Sequence, residues 1–265
     1  MWKREPQEND FAAKIPFWKP VPIEIDDDYS FLSDDSLLFR VGSRFLHWFA
    51  LLVLTIYNKI FFGLRVRGRK NLRGLPPALV TVCNHVNMLD CSMVACALRH
   101  RMLYFPTLKS NLELPGIRHL VKYLGGFPIP ESMKAFRSFS IKVRDILAQG
   151  DTVHFFPEGS LSPYATGLRP FARGAFVYAY DCGAPVVPFA ITYRKARLIR
   201  RLLRRKPPLT LNILEPVFPD LSAPRREEID RLLADTYNRM AAVCRPPGET
   251  PPPEPLTTVS VGGMS

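Results

Sequence analysis

The chain has 265 residues, 47% hydrophobic and 23% charged, an ordinary globular composition that excludes wholesale disorder, collagen-like repetition and a protein of many membrane spans. Thirty-six Lys and Arg against 24 Asp and Glu leave a formal charge of +12, which points to an anionic partner: nucleic acid, a phospholipid surface or a phosphorylated substrate. Five cysteines with no Cys-x-x-Cys spacing form neither a disulfide framework nor a zinc knuckle, and suit a reducing, cytoplasmic setting.

Residues 1–36 read as a polar tail. They carry Pro6, Pro16, Pro20 and Pro22 and the acids Asp26, Asp27, Asp28, Asp34 and Asp35, and no apolar stretch early enough for a cleavable signal peptide. From 37 to 64 the polar residues Arg40, Ser43, Arg44, His47, Thr55, Asn58 and Lys59 recur at helical spacing. Phe45, Trp48, Phe49, Leu52, Val53, Ile56, Ile60 and Phe61 fill the opposite face, so the segment is an amphipathic helix. Its cleanest apolar run, Trp48 to Tyr57, has ten residues, whereas a span needs about 20. Insertion in the plane of one leaflet fits best; a single span and a helix docked on the protein's own core are the alternatives.

Short β-branched runs then alternate with helical stretches. Strands are expected at 78–83, 102–107, 152–156, 185–193 and 209–214, and helices at 89–98, 132–149, 173–182 and 225–244, with Gly150 and Gly183 as stops. Residues 65–244 therefore read as one α/β domain, a layered mixed sheet flanked by helices. Residues 245–265 open with six prolines between Pro246 and Pro255 and read as a disordered tail.

Sites in such folds lie just past strand ends, and two motifs stand there. The first is Asn84-His85-Val86-Asn87-Met88-Leu89-Asp90, after the strand ending at Cys83. With His85 on the loop and Asp90 in the first helical turn the two can meet. Asp90 would then fix the tautomer of His85 and leave the other ring nitrogen to take a proton from a hydroxyl. A plain helix start capped by Asn84 or Asn87 is the bland alternative. The second motif is Phe156-Pro157-Glu158-Gly159-Ser160, followed by Arg169 and Arg173 near the next helix start. Gly159 permits a tight turn, Glu158 accepts hydrogen bonds, and the two arginines form an anion site.

Together these residues resemble the glycerolipid acyltransferase family of the lysophosphatidic acid acyltransferase type, over residues 62–214. His85 and Asp90 match its H-x4-D pair with Asn84 before it, Phe156 to Ser160 match its F-P-E-G block, and Val187-Pro188 match its later V-P element. Two positions depart: Glu131 stands where the Gly125 block usually ends in arginine, and Leu161 where an arginine usually follows E-G-S. Both belong to the family's acceptor-phosphate region. The resemblance implies direct transfer of an acyl group from a thioester, acyl-CoA or acyl-carrier protein, to a lipid hydroxyl, with His85 as general base. A thiol leaves as its thiolate with a pKa of about 8.5 and needs little protonation, so no metal or other cofactor is required, and Ser160 and Cys83 are structural. Glu158, Gly159, Ser160, Arg169 and Arg173 become substrate-binding residues, with Arg169 and Arg173 the cations best placed for an acceptor phosphate and Lys109, where the family often has a lysine, touching donor or acceptor.

His47, His100, His119 and His154 show no ligand spacing for a metal. Residues 194–206 hold eight Lys or Arg in thirteen, with Leu198, Ile199, Leu202 and Leu203 between them, a pattern for lying on anionic phospholipid. The expected protein is an enzyme of phospholipid biosynthesis on the cytoplasmic face of a membrane, monotopic or single-span, with no nucleic-acid partner. The alternatives are a catalytically weak lipid-binding or scaffold protein on the same fold, and an O-acyltransferase for a lipid acceptor without phosphate.

Overall fold

The computed structural model describes residues 37–99, 101–113, 121, 124–130, 132–196 and 206–244. The two tails, Glu131 and residues 197–205 of the basic run lie outside them. The described elements are α1 (Leu37–Phe61), β1 (Arg65–Arg67), β2 (Leu79–Cys83), α2 (Asp90–Leu98), β3 (Leu103–Thr107), α3 (Lys109–Leu112), β4 (Gly126–Pro128), α4 (Met133–Ala148), β5 (Thr152–Phe155), α5 (Gly174–Asp181), β6 (Val186–Tyr193), β7 (Leu209–Ile213) and α6 (Arg225–Cys244).

The strands form one seven-stranded sheet in the order β1-β7-β6-β2-β5-β3-β4, parallel throughout except for the antiparallel β6–β7 pair. This is the expected layered mixed sheet. β2 lies at its centre with all five residues buried, which suits an uninterrupted run of apolar and β-branched side chains covered on both faces. Its alternation divides the core. Val80 and Val82 join Phe127, Phe139, Val143, Phe176, Ile229 and Leu232 under α4, α5 and α6. Leu79 and Cys83 join Met93, Val94, Val187, Phe189 and Ile191 under α2. Each large side chain buried this way contributes about 1.5–3 kcal/mol. Ser132 caps α4 by accepting from the amide of Ala135 at 3.0 Å, worth about 1 kcal/mol.

Helix α1 docks on α2, and it does so with part of its polar stripe. Among the residues of α1 whose burial is described, His47, Leu51 and Asn58 are buried; Asn58 Nδ2 donates to Ser92 Oγ at 3.1 Å, and Cys96 Sγ to the Leu51 carbonyl at 3.8 Å. Burial holds the His47 imidazole below its ordinary range. The apolar face points outward: Phe45 is 75% exposed, and Trp48, Phe49, Leu52, Val53, Ile56, Ile60 and Phe61 are exposed with it. Docking on the protein and exposing an apolar face, set apart as alternatives above, therefore occur in one helix. No described helix is long and apolar enough to cross a membrane.

The expected strands and helices from 78 onward are present with ends shifted by at most one residue. Sequence reasoning missed β1, α3 and β4, each of three or four residues.

Candidate active site

β2 and β5 are parallel neighbours, with Thr81 opposite His154 and Val82 opposite Phe155. Both motifs therefore leave the sheet side by side. Asn84, the first residue past β2, is clamped to β6. Its Oδ1 accepts from the Ile191 amide at 2.7 Å, and its Nδ2 donates to the Ile191 carbonyl at 3.0 Å. The side chain thus continues a backbone ladder for one more step and fixes where His85 begins.

The loop then winds about one carboxylate oxygen. Asp90, the first residue of α2 and wholly buried, accepts at Oδ2 from His85 Nδ1 at 3.1 Å, the Val86 amide at 2.7 Å and the Asn87 amide at 2.8 Å. A carboxylate only accepts, so Nδ1 of His85 carries a proton, and in the neutral imidazole the lone pair is at Nε2. Burial pushes the Asp90 carboxyl above its usual range, against the pull of His85 and the two amides. Asn87 does not cap α2; its Oδ1 accepts from the Leu89 amide at 3.0 Å, within the loop. The bland helix-cap reading of this motif is therefore not the geometry seen.

The second motif is a closed unit. The Gly159 amide donates to the Phe156 carbonyl at 3.0 Å, and Gly159 takes φ 75°, a left-handed conformation that glycine adopts without a Cβ clash. The Glu158 carboxylate, 1% exposed, accepts from Arg169 at Nη2 (3.0 Å) and Nε (3.2 Å). Arg169 Nη1 also donates to Ser160 Oγ at 2.6 Å, and its Nη2 to the Ser160 carbonyl. Glu158, Ser160 and Arg169 thus brace one turn. The turn is tied to the first loop, because the amides of Ser162 and Tyr164 donate to the carbonyls of His85 (2.8 Å) and Val86 (3.3 Å).

Arg173 lies apart from this unit, turned toward α6, where it pairs with Asp230 at 2.9 Å and donates to the Arg226 carbonyl at 3.4 Å. Lys109 opens α3. All five cysteines are free, and burial drives the Cys83 thiol well up. Two side chains to which the sequence reading gave no role, Phe156 of the second motif and His154, also belong here. The Phe156 ring lies against the His85 imidazole with centroids 3.8 Å apart and planes 12° from parallel, and His154 meets Phe156 edge-on at 4.7 Å and 87°. Strand alternation puts residues 154 and 156 on one face of β5 and its extension, a signal that was legible. What it did not disclose is that His85 lies beside that face.

Residues 63–192 match the family model described as Acyltransferase. Over 158 residues the chain is 28% identical to the chloroplastic 1-acyl-sn-glycerol-3-phosphate acyltransferase BAT2 of Brassica napus, covering 58% of this chain and 45% of that protein. It is 29% identical over 147 residues to the mouse 1-acyl-sn-glycerol-3-phosphate acyltransferase alpha, covering 54% and 50%. The chain therefore spans about half the length of these curated relatives. Its fold is similar to the crystal structure of the 1-acyl-sn-glycerophosphate acyltransferase PlsC from Thermotoga maritima, with a TM-score of 0.56 at 21% identity, over 77% of this chain and 80% of that one. The part of the sheet from β1 into β6, with the paired motifs at adjacent strand ends, is the stretch that matches this acyltransferase model. Residues 63–192, just under half of the chain, thus match the acyltransferase family, in keeping with the glycerolipid type that the two motifs resemble.

Proposed function

We propose that the protein transfers a fatty acyl group from an acyl thioester, acyl-CoA or acyl-carrier protein, to a hydroxyl of a lysophospholipid, with lysophosphatidic acid as the first acceptor to test. The observation that carries the reading is the His85–Asp90 pair: an imidazole with one nitrogen committed to a buried carboxylate and the other available as a base. The acceptor substrate class is taken from the relatives' names.

In this mechanism His85 Nε2 takes the acceptor hydroxyl proton as the oxygen attacks the thioester carbonyl carbon. Asp90 stabilises the imidazolium that forms. The tetrahedral adduct collapses with cleavage of the carbon–sulfur bond, and the thiolate leaves and takes up the proton from His85. No acyl-enzyme is needed, in keeping with a buried Cys83 and a Ser160 held by Arg169. The outward apolar face of α1 supports monotopic attachment to a membrane; the basic run 194–206 on anionic phospholipid and placement on the cytoplasmic face complete the proposal.

The test is transfer from radiolabelled oleoyl-CoA to a panel of lyso-lipids and lipid alcohols. His85→Ala is expected to lose at least about 10²-fold in turnover, and Asp90→Asn no more than that. Full activity in His85→Ala refutes the mechanism, and lipid binding without transfer by the wild type identifies a scaffold. A second reading, an acceptor without a phosphate monoester, is favoured by Leu161 and by the carboxylate partners of Arg169 and Arg173.

A further inference from the structure

We infer that Phe156 is a positioning residue of the transfer reaction: its ring fixes the plane of the His85 imidazole and stabilises the cation formed when that imidazole takes the acceptor proton. The inference rests on the reading of His85 as the base.

The geometry divides the orienting work between two directions. Asp90 Oδ2 holds His85 at Nδ1, in the plane of the ring. One hydrogen bond fixes where that nitrogen lies but leaves the imidazole free to swing about the Nδ1–Oδ2 line, which would carry Nε2 away from a bound hydroxyl. A wall against the ring face removes that freedom, and Phe156 is that wall. At 3.8 Å between centroids and 12° between planes the rings stack face to face at carbon–carbon contact distance.

The contact is through the ring face, where the quadrupole of an aromatic ring is negative. A cation over the ring face is attracted by the same quadrupole. The arrangement therefore gains when His85 is protonated, the state reached only as the acceptor hydroxyl gives up its proton. A contact that strengthens toward the transition state accelerates the reaction rather than merely tightening binding.

Phe156 is itself braced. His154 meets it edge-on at 4.7 Å, and the His154 ring is wholly buried and held through Nδ1 by Thr81 Oγ1 at 2.9 Å. Burial, with the neighbouring His85, pushes His154 down to about 3. It remains neutral at working pH and sets no positive charge against the imidazolium. Nε2 of His154 has no hydrogen-bond partner among the described residues.

The experiment uses the full chain with oleoyl-CoA and whichever acceptor of the panel turns over fastest. Phe156→Leu is expected to lower kcat by about 2- to 30-fold, the range of a cation–π contact, with KM for both substrates within twofold of wild type. Phe156→Tyr restores it. Because a leucine variant can fail to fold, phenylalanines carrying increasing numbers of ring fluorines at position 156 supply the second arm. They keep the shape and weaken the quadrupole, so kcat should fall stepwise at constant Tm. Wild-type kcat in a folded Phe156→Leu, or an unchanged kcat across the fluorinated series, overturns the inference. An active His85→Ala instead overturns the base reading beneath it, so the two failures are separable.

Discussion

The buried His154 makes stability fall with acid by an amount that follows from its surroundings. Its imidazole is pushed from 6.5 in the unfolded chain to about 3 in the fold by burial, with the neighbouring His85 adding to the effect. Above pH 6.5 both states hold the ring neutral and nothing is lost. Below 6.5 the unfolded chain binds a proton that the fold refuses, so stability drops as pH falls, until the folded ring also protonates near pH 3. At pH 5 the unfolded state is favoured by about 1.5 pH units, or about 2 kcal/mol, against a total stability on the order of 5–15 kcal/mol. The assay is urea unfolding at pH 8 and pH 5 for wild type and His154→Asn, a variant whose amide can still face Thr81. The carboxylates and His47 are common to both proteins and cancel in the difference. The wild type should lose about 2 kcal/mol more than the variant between the two pH values. Parallel losses would mean that His154 titrates in the fold as it does in the open chain, and the reasoning from burial would be wrong.

Three further outcomes are expected. Arg169→Ala strands the buried Glu158 carboxylate and should lower stability by about 2–3 kcal/mol in denaturant unfolding, whereas Arg173→Ala breaks an exposed pair worth less than about 1 kcal/mol; a raised acceptor KM in Arg169→Ala at unchanged stability would instead make Arg169 an acceptor ligand. Gly159→Ala meets open space but a φ of 75°, so about 1–2 kcal/mol of strain should appear as a lower Tm, with Gly159→Asn less affected. Replacing Phe45, Trp48, Phe49 and Leu52 together with Ser should reduce flotation with phospholipid vesicles by more than about 10²-fold, since each large apolar side chain taken from water contributes about 1.5–3 kcal/mol; unchanged flotation would remove α1 as the attachment surface.

Much of the architecture was legible because the signals were local. Gly150 and Gly183 stop helices, and the runs around Val80, Val153 and Val187 are too short and too β-branched to be anything but buried strands. The edge strands β1 and β4 were not legible: Arg65–Arg67 and Gly126–Pro128 are too short to repeat an alternating pattern, and they exist because β7 and β3 offer them a ladder. The amphipathicity of α1 was plain, but periodicity tells which residues share a face and not which face docks. Asn58 is drawn inward by Ser92 of α2, and that partner is 34 residues away in sequence. In the site, the H-x4-D spacing specified that His85 and Asp90 could meet only across a loop-to-helix junction, and they do. The partners of Arg169 and Arg173 were beyond reach, because Glu158 and Asp230 are brought to them by a turn and by a helix packing event that no local pattern encodes.

The order of the sheet explains why one candidate site draws on segments about 70 residues apart. β5 pairs directly with β2, so the side chains that leave β5 on the α2 side, His154 and then Phe156, run alongside Thr81 and the loop that begins at Asn84. Inserting β3, α3, β4 and α4 between the motifs in sequence costs the geometry nothing, since β3 joins the far side of β5 and β4 lies beyond it. The consequence is a division of labour across two strand ends. The β2 end supplies the proposed base, His85, and the carboxylate of Asp90, tied to β6 through Asn84, and the β5 end supplies the ring face of Phe156 and the Glu158–Arg169 turn. Ser162 and Tyr164 then bind the second loop to the backbone of the first. Displacing either strand end would move Phe156 relative to His85, so the rigidity of the central β2–β5 pair is itself a determinant of how the imidazole is aimed.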